Sequence, residues 1–328
     1  MNPDRRDFLA LGVGALAVAT LPAALRRRPE LIRRRIPVMG TIAEVAVRHP
    51  HEAWAQRTID AAFAELRRVE ESMSRFRAES DVGRANSVAD GSSVCVAEDT
   101  ATVLTAALEW AVATDGRFDP CLGGASALWD ASNRSEPPRP GEMLRFADRQ
   151  LWRALEVDRT GSVPEVRLHR QDAALDLGGI AKGFAVDMAA QALRAHGVFH
   201  GLINVGGDLL ALGVDGDDEP WRIGVRSPRS ADEIVEVLSV SNAAVATSGD
   251  YLQFFQHGGR RYHHLLDPET GAPRLTRMRS LTIEAECCMM ADAAATALFG
   301  VQPSAQRLIL KRAGGSATIV HEIQEVEE

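Results

Sequence analysis

The stretch LDLGGIAKGFAVD, from Leu175 to Asp187, decides how this chain is read. It holds two acids, an adjacent glycine pair and one lysine, and a helical pattern takes over near its end. A segment built only for packing would carry more apolar bulk and no lysine at that point. Gly178 and Gly179 have no Cβ, so their backbone can come close to a ligand. A helix beginning near Ile180 offers free N–H groups and the positive end of its dipole. Lys182, in the first turn, adds a full charge. Together these features suit phosphate oxygens. The spacing is not that of a P-loop, and no Ser or Thr follows the lysine. A tight strand-to-helix turn with a solvated lysine would use the same residues, and the segment alone does not separate the two readings.

Composition narrows the classes. The chain has 328 residues and a net charge of −8, with 45% hydrophobic and 25% charged residues. That is enough to bury a core without disulfide or metal staples. The negative balance argues against a general nucleic-acid binder, and an anionic substrate would need locally placed positive charge or metal. Cys95, Cys121, Cys287 and Cys288 have no metal-ligand spacing, and the adjacent pair in an apolar run reads as buried thiols.

The N-terminus reads as an address. Arg5-Arg6 is followed by Phe8, Leu9 and an Ala/Gly/Leu run to about Ala24. This is the layout of a twin-arginine export signal, and the run is short for a transmembrane helix. The expected organisation is therefore an export signal over 1–25, a basic linker over 26–35, one domain over 36–322 and an acidic tail over 323–328. An exported enzyme would act in the periplasm or on the outer face of the cytoplasmic membrane.

Along the domain, residues 36–47 predict one strand bent at Gly40, and 52–73 predict an amphipathic helix with apolar residues at helical spacing. Residues 101–114 predict a second helix, and 151–168 predict strand-like runs. The opening stretch predicts a helix ending at Gly197. Residues 201–213 predict a strand with a glycine break. Further strands are expected at 221–226, 236–240, 243–247, 262–266, 281–286 and 316–321, and helices at 290–300 and 304–312. Strands and helices mix without strict βαβ alternation. The predicted class is α+β, with mixed or antiparallel sheets and packed helices.

Several later motifs could carry chemistry. In MADAAATALFG, Asp292 and Thr296 are four apart on a helix, so both oxygens face one way. One carboxylate, one hydroxyl and a backbone carbonyl would make a sparse all-oxygen site of the kind that holds Mg²⁺ together with substrate phosphate. In RYHHLLDPETGAP, strand alternation lets only one of His263 and His264 face a given cleft. A histidine there could act as a base or bind phosphate. NVGGDL and ATSGDY read as close-approach turns carrying Asp208 and Asp250. There is no HExxH and no nucleophile elbow. DGDDE, from Asp215 to Glu219, lacks the later glutamate of a calcium loop.

Taken in order, MGT (Met39–Thr41), MSRF (Met73–Phe76), TDGRFDP (Thr114–Pro120), LDLGGIAKGFAVD, NVGGDL, ATSGDY, HHLLDPETG and ADAAATALF resemble the FAD:protein FMN transferase family, also called the ApbE family. The resemblance runs from about Val38 to Ile319. It implies an ApbE-like, T-fold-like domain that uses FAD as substrate and Mg²⁺ as cofactor. It implies transfer of FMN to a Thr or Ser of an acceptor flavoprotein, with release of AMP. By motif position, Met39, Phe76, Arg117, Phe118 and Asp119 should line the flavin or adenine end. Asp176 and Lys182 should contact FAD, with Leu266 nearby. The metal should sit between Asp292, Thr296 and the Gly179 carbonyl. His264 matches the histidine near the diphosphate, and it is the candidate base, with Asp250 as the competing choice. Phe76 stands where the family pattern has a tyrosine, so stacking survives and a hydroxyl contact is lost.

On physical grounds the leaving AMP oxygen gains negative charge, which Lys182 and backbone N–H groups can stabilise. Two other readings remain open: an Mg²⁺-dependent FAD diphosphatase, and a non-catalytic FAD-binding protein that would need neither Asp292 nor Thr296.

Overall fold

Two tight turns set the frame of the molecule. Residues 36–47, expected as one bent strand, belong instead to a hairpin of β1 (Leu31–Val38) and β2 (Thr41–Arg48), paired from Leu31↔Arg48 to Val38↔Thr41. The chain reverses at Met39 and Gly40, whose φ angles of 52° and 68° lie in the left-handed region. A two-residue turn of that hand matches the twist of paired strands. Residues 201–213 behave likewise: β3 (Gly201–Val205) turns at Gly206-Gly207 and returns as β4 (Asp208–Leu212). In both runs the expected break is a full reversal.

The structure, a computed structural model, describes residues 30–147, 150–215, 219–230, 232–314 and 317–324, and the backbone of 16–18. The expected export signal, apart from 16–18, lies outside the described residues, as do 26–29 of the basic linker and 325–328 of the acidic tail. Strand β1 begins at Leu31, inside the stretch expected as linker. Its arginines suit a sheet edge: Arg33 and Arg35 are exposed, and Arg35 pairs with Glu44 directly across the hairpin.

The main sheet has seven strands. After β4 come β5 (Trp221–Arg226) and β6 (Ile234–Val240), then β7 (Ala243–Gly249), β8 (Met278–Ala285) and β9 (Thr318–Gln324). The order is β9-β8-β7-β4-β3-β2-β1, and every pairing is antiparallel. Strands β5 and β6 form a second sheet with Leu16–Val18 on the outer side of β5. The second sheet covers one face of the first. Leu209, Ala211, Ala46 and Val245 pack with Trp221, Ile223 and Val225, whereas Leu210, Leu212, Val45 and Val47 join the core on the other face. Burial of both faces explains why β4 reads as a continuous apolar run rather than an alternating one.

Three helices close that other face: α1 (Glu52–Met73), α2 (Ala181–Ala195) and α3 (Cys288–Leu298). Helix α1 spans the expected residues and buries Ile59, Phe63, Leu66 and Val69 along one stripe. The strand-like runs expected over 151–168 are present from Leu155 onward. A 3₁₀ turn at Leu151–Ala154 precedes two strands, Leu155–Asp158 and Glu165–Leu168, of a separate small sheet.

Helices α2 and α3 are locked by two residues of the opening stretch. A Cβ on Gly183 would lie 2.3 Å from the Cys288 carbonyl oxygen, so the helices meet backbone to backbone there. One turn later, the Asp187 carboxylate accepts the Cys288 and Met289 N–H groups at 2.8 and 2.9 Å, capping α3 from its neighbour. A methyl group at this crossing must push the helices apart. Gly183→Ala is therefore expected to lower unfolding stability by about 1–3 kcal/mol in denaturant titration. An unchanged midpoint would contradict the close approach.

Candidate active site

The crossing of α2 and α3 sets the polar centre. Lys182 leads α2, and its Nζ lies 2.5 Å from Asp208 Oδ2 and 3.3 and 3.2 Å from the two carboxylate oxygens of Asp292. The Gly183 N–H also donates to Asp292 Oδ2 at 3.1 Å. Asp208 opens β4 directly after its glycine turn, and Asp292 sits within α3. Both carboxylates are almost fully buried, while Lys182 keeps partial access to solvent. Burial pushes the Asp292 pKa up, the charge of Asp208 adds to that, and Lys182 only partly offsets them. Burial alone would lower Lys182, but Asp208 and Asp292 outweigh it, and its pKa is raised. With both carboxylates ionised, one ammonium leaves the cluster a surplus negative charge.

The glycine-lined bend meets the same helix. A Cβ on Gly179 would lie 2.9 Å from Thr296 Oγ1, so Gly179, Asp292 and Thr296 share one surface. Among the described residues, no group of three or more His, Cys, Asp and Glu is placed to hold a metal. The arrangement here is sparser: one carboxylate, one hydroxyl and nearby backbone carbonyls. Those donors and the surplus charge fit a hard divalent cation that takes its other ligands from water and phosphate.

The expected strand over 262–266 is interrupted: His263 ends the strand Arg260–His263, and His264 lies in the bend that follows, so the bend rather than strand alternation separates the two rings. His263 is buried, its Nε2 at 3.1 Å from the Arg274 carbonyl and its Nδ1 accepting the Leu265 N–H. His264 is half-buried, with its Nδ1 3.3 Å from the Gln253 carbonyl. Burial pulls the His264 pKa down to about 4; the Gln253 carbonyl and Asp176 oppose this, while the Lys182 charge reinforces it. His264 therefore lies within electrostatic reach of Lys182 and Asp176 and is neutral at pH 7. Asp250 belongs to a different group. It is buried, with Arg261 at 3.2 Å from one oxygen and Arg279 at 2.7 Å from the other. Two guanidiniums on its oxygens make it a poor proton acceptor.

The remaining expected residues have separate surroundings. Asp176 Oδ1 accepts the Gly178 N–H at 3.0 Å, and Oδ2 pairs with Arg75 at 3.2 Å. Arg75 also lies over the ring of Phe76, 4.1 Å from its centroid, and that ring is 81% exposed. Met39 is held at the β1–β2 turn, where its N–H donates to Glu70 of α1 at 2.6 Å. Arg117 is exposed and Leu266 buried. Phe118, expected to line the flavin or adenine end, is packed into the main core instead. Asp119 Oδ1 accepts the Cys121 N–H at 2.8 Å, but Oδ2 is buried without a partner. Burial raises this carboxyl to about 6, against the pull of backbone N–H groups. An unpaired buried acceptor of this kind suits an N–H of a bound heterocycle.

Two residues in the site were not expected there. Asp208 was visible in NVGGDL as an acid directly after a glycine turn, but nothing in the spacing shows that β4 returns toward Lys182. Arg274 follows the HHLLDPETGAP run and gives no local signal. Two cavities, of about 460 and 650 Å³, lie beside the C-terminal helix and strand and are lined by none of these residues.

Comparison with known proteins gives a consistent result. A family model described as the ApbE family matches residues 39–320. The FAD:protein FMN transferase of Treponema pallidum is 33% identical over 276 residues, covering 80% of this chain and 76% of that protein. The enzyme of the same name from Haemophilus influenzae is 28% identical over 299 residues, covering 89% and 86%. The crystal structure of the ApbE protein of Thermotoga maritima superposes with a TM-score of 0.79 at 29% identity, covering 90% of this chain and 97% of that one. The flavinyl transferase ApbE of Pseudomonas stutzeri, in its apo form, gives 0.74 at 27% identity, covering 89% and 91%.

The burial of His264 is open to direct measurement. Its ring resonances, assigned by their loss in His264→Asn, should titrate near pH 4, because burial disfavours the charged ring. Titration near the ordinary value of about 6.5 would show a solvated imidazole and contradict this geometry.

Proposed function

This chain belongs to the ApbE family, and we propose that it transfers the FMN half of FAD to a Thr or Ser hydroxyl of an acceptor flavoprotein, releasing AMP. One observation carries the reading: Gly179 abuts Thr296 while Lys182 reaches Asp292. A diphosphate at this bend would face the Lys182 ammonium and, through a bound cation, the oxygens of Asp292 and Thr296. The unpartnered Asp119 oxygen would accept an N–H from one ring system of the dinucleotide. Exposed Phe76, backed by Arg75, offers a stacking face at the mouth.

The residues divide the work as follows. The acceptor hydroxyl oxygen attacks the phosphorus that carries the riboflavin, and a new P–O ester bond forms. The bond to the AMP phosphate breaks, and AMP leaves with the electron pair. His264, neutral and with Nδ1 toward the Gln253 carbonyl, would present Nε2 to the hydroxyl as a weak base, taking the proton as the new P–O bond forms. Lys182 stabilises charge developing on the phosphate oxygens. Asp292, Thr296 and the Gly179 carbonyl would hold Mg²⁺, which supplies charge neutralisation and in-line alignment at the diphosphate. Asp250, already bound by two arginines, would shape the wall rather than move the proton. The leader pattern at Arg5-Arg6 supports action outside the cytoplasmic membrane, since a twin-arginine substrate crosses it folded.

The test is incubation with FAD, Mg²⁺ and an acceptor carrying an exposed Thr or Ser. Flavin fluorescence on the acceptor band after denaturing electrophoresis is the expected result. Free FMN and AMP with an unlabelled acceptor would mark a diphosphatase instead, and intact FAD a binding protein. Asp292→Asn should lower turnover roughly 100-fold while weakening FAD binding far less, because the developing charge is greatest in the transition state. An Asp292→Asn enzyme with wild-type turnover would remove the cation from the account.

A further inference from the structure

We propose that Arg274 is a positioning residue for the transfer, holding three separate segments of the site in one frame; this rests on the function proposed above. Its guanidinium lies among five main-chain carbonyl oxygens. Nε donates to Leu266 at 3.0 Å. Nη1 donates to Thr296 at 2.8 Å and Phe299 at 2.7 Å, with Ala297 at 3.4 Å. Nη2 donates to Arg117 at 2.7 Å. The residue is itself pinned: its N–H donates to the Leu265 carbonyl, and its own carbonyl meets the ring of His263.

These carbonyls come from three places in the chain, and each lies close to a residue of the site. Arg117 is two residues before Asp119, and Leu266 is two after His264. Thr296 is the residue whose hydroxyl faces Gly179. The Thr296 and Ala297 carbonyls also end α3, where carbonyls lack helical partners and the dipole favours a cation. A simple helix cap would need only that last contact, and a lysine could supply it. The planar fork of an arginine carries five donors on three separate nitrogens and reaches all three segments, whereas an ammonium has three donors on one atom for five carbonyls. All the acceptors are backbone atoms, so the residue fixes where the segments sit and leaves their side chains free. The consequence is that the metal-side helix, the histidine loop and the Asp119 loop are positioned together.

The test compares wild type, Arg274→Lys, Arg274→Gln and Leu310→Ala. Leu310 is a buried residue of the C-terminal helix Pro303–Arg312, so its truncation controls for lost stability alone. The readouts are Tm, calorimetric Mg²⁺ binding to the FAD-saturated protein, and kcat with KM for FAD. Both Arg274 variants should weaken Mg²⁺ binding about tenfold and lower kcat, as outer-shell changes do. Leu310→Ala should lower Tm with Mg²⁺ binding and kcat unchanged. A folded variant at Arg274 with wild-type Mg²⁺ affinity and kcat overturns the proposal, and Arg274→Lys decides it if Arg274→Gln does not fold. Equal loss of Mg²⁺ affinity in Leu310→Ala also overturns it, since the effect would then be stability. If wild type binds neither FAD nor Mg²⁺, the functional reading itself has failed.

Discussion

The site depends on one ammonium group held between two buried carboxylates. Burying a carboxylate is costly unless it is paired, and here Asp208 and Asp292 share Lys182. With both acids ionised, one cation leaves a surplus negative charge, and burial favours relieving it by a proton on Asp292 or a second cation. The arrangement is held together by the scaffold around it, and it leaves a place where a second positive charge is favoured. Removing Lys182 would leave two like charges facing each other in low dielectric, so the lysine is as much a structural requirement as a chemical one.

The scaffold explains how that tension is kept. Lys182, Gly183 and Asp187 lie within the first two turns of α2 and face Asp292, Cys288 and Met289 of α3. One residue reaches across, one permits contact and one caps. Behind them the central strands of the sheet are buried on both faces, by helices on one and by β5 and β6 on the other. A sheet covered on both sides gives the helices a stiff base. At the other end of α3, Arg274 ties the helix to the segments bearing Leu266 and Arg117. The question raised by LDLGGIAKGFAVD thus has a physical answer. Its glycines let backbones approach, its lysine neutralises acids brought in by other elements, and its last acid fixes a neighbouring helix.

Local features were legible where the chemistry is local. Helix α1 was bounded correctly because an unbroken 3.6-residue apolar pattern ends with its own stripe. The fold class was readable from the irregular mixing of β-branched runs and helical patterns. The opening stretch announced a bend and a helix start, and α2 begins at Ala181. Reversals were harder. A glycine inside a β-rich run signals a bend, but only long-range pairing shows that Met39-Gly40 and Gly206-Gly207 turn the chain right back. The basic run at 33–35 looked like linker because arginine has no strand signature, yet an edge strand tolerates it and pairs Arg35 with Glu44. Of the site, the motif residues could be named in order, but partnership could not. That Lys182 serves Asp208, that Asp250 is taken by arginines and that Arg274 gathers five carbonyls are consequences of topology, which no spacing records.

The central claim is that the bend at Gly179 and the helix bearing Asp292 and Thr296 share one diphosphate and one cation. The most direct measurement is a crystal structure of the protein with FAD and Mn²⁺ in place of Mg²⁺, with the metal located by its anomalous scattering. The account predicts a peak at a coordination distance of about 2.0–2.2 Å from the Asp292 carboxylate, the Thr296 hydroxyl and the Gly179 carbonyl, with a diphosphate oxygen completing the contact. A metal bound elsewhere, or a diphosphate lying away from the α2 N-terminus, would contradict it.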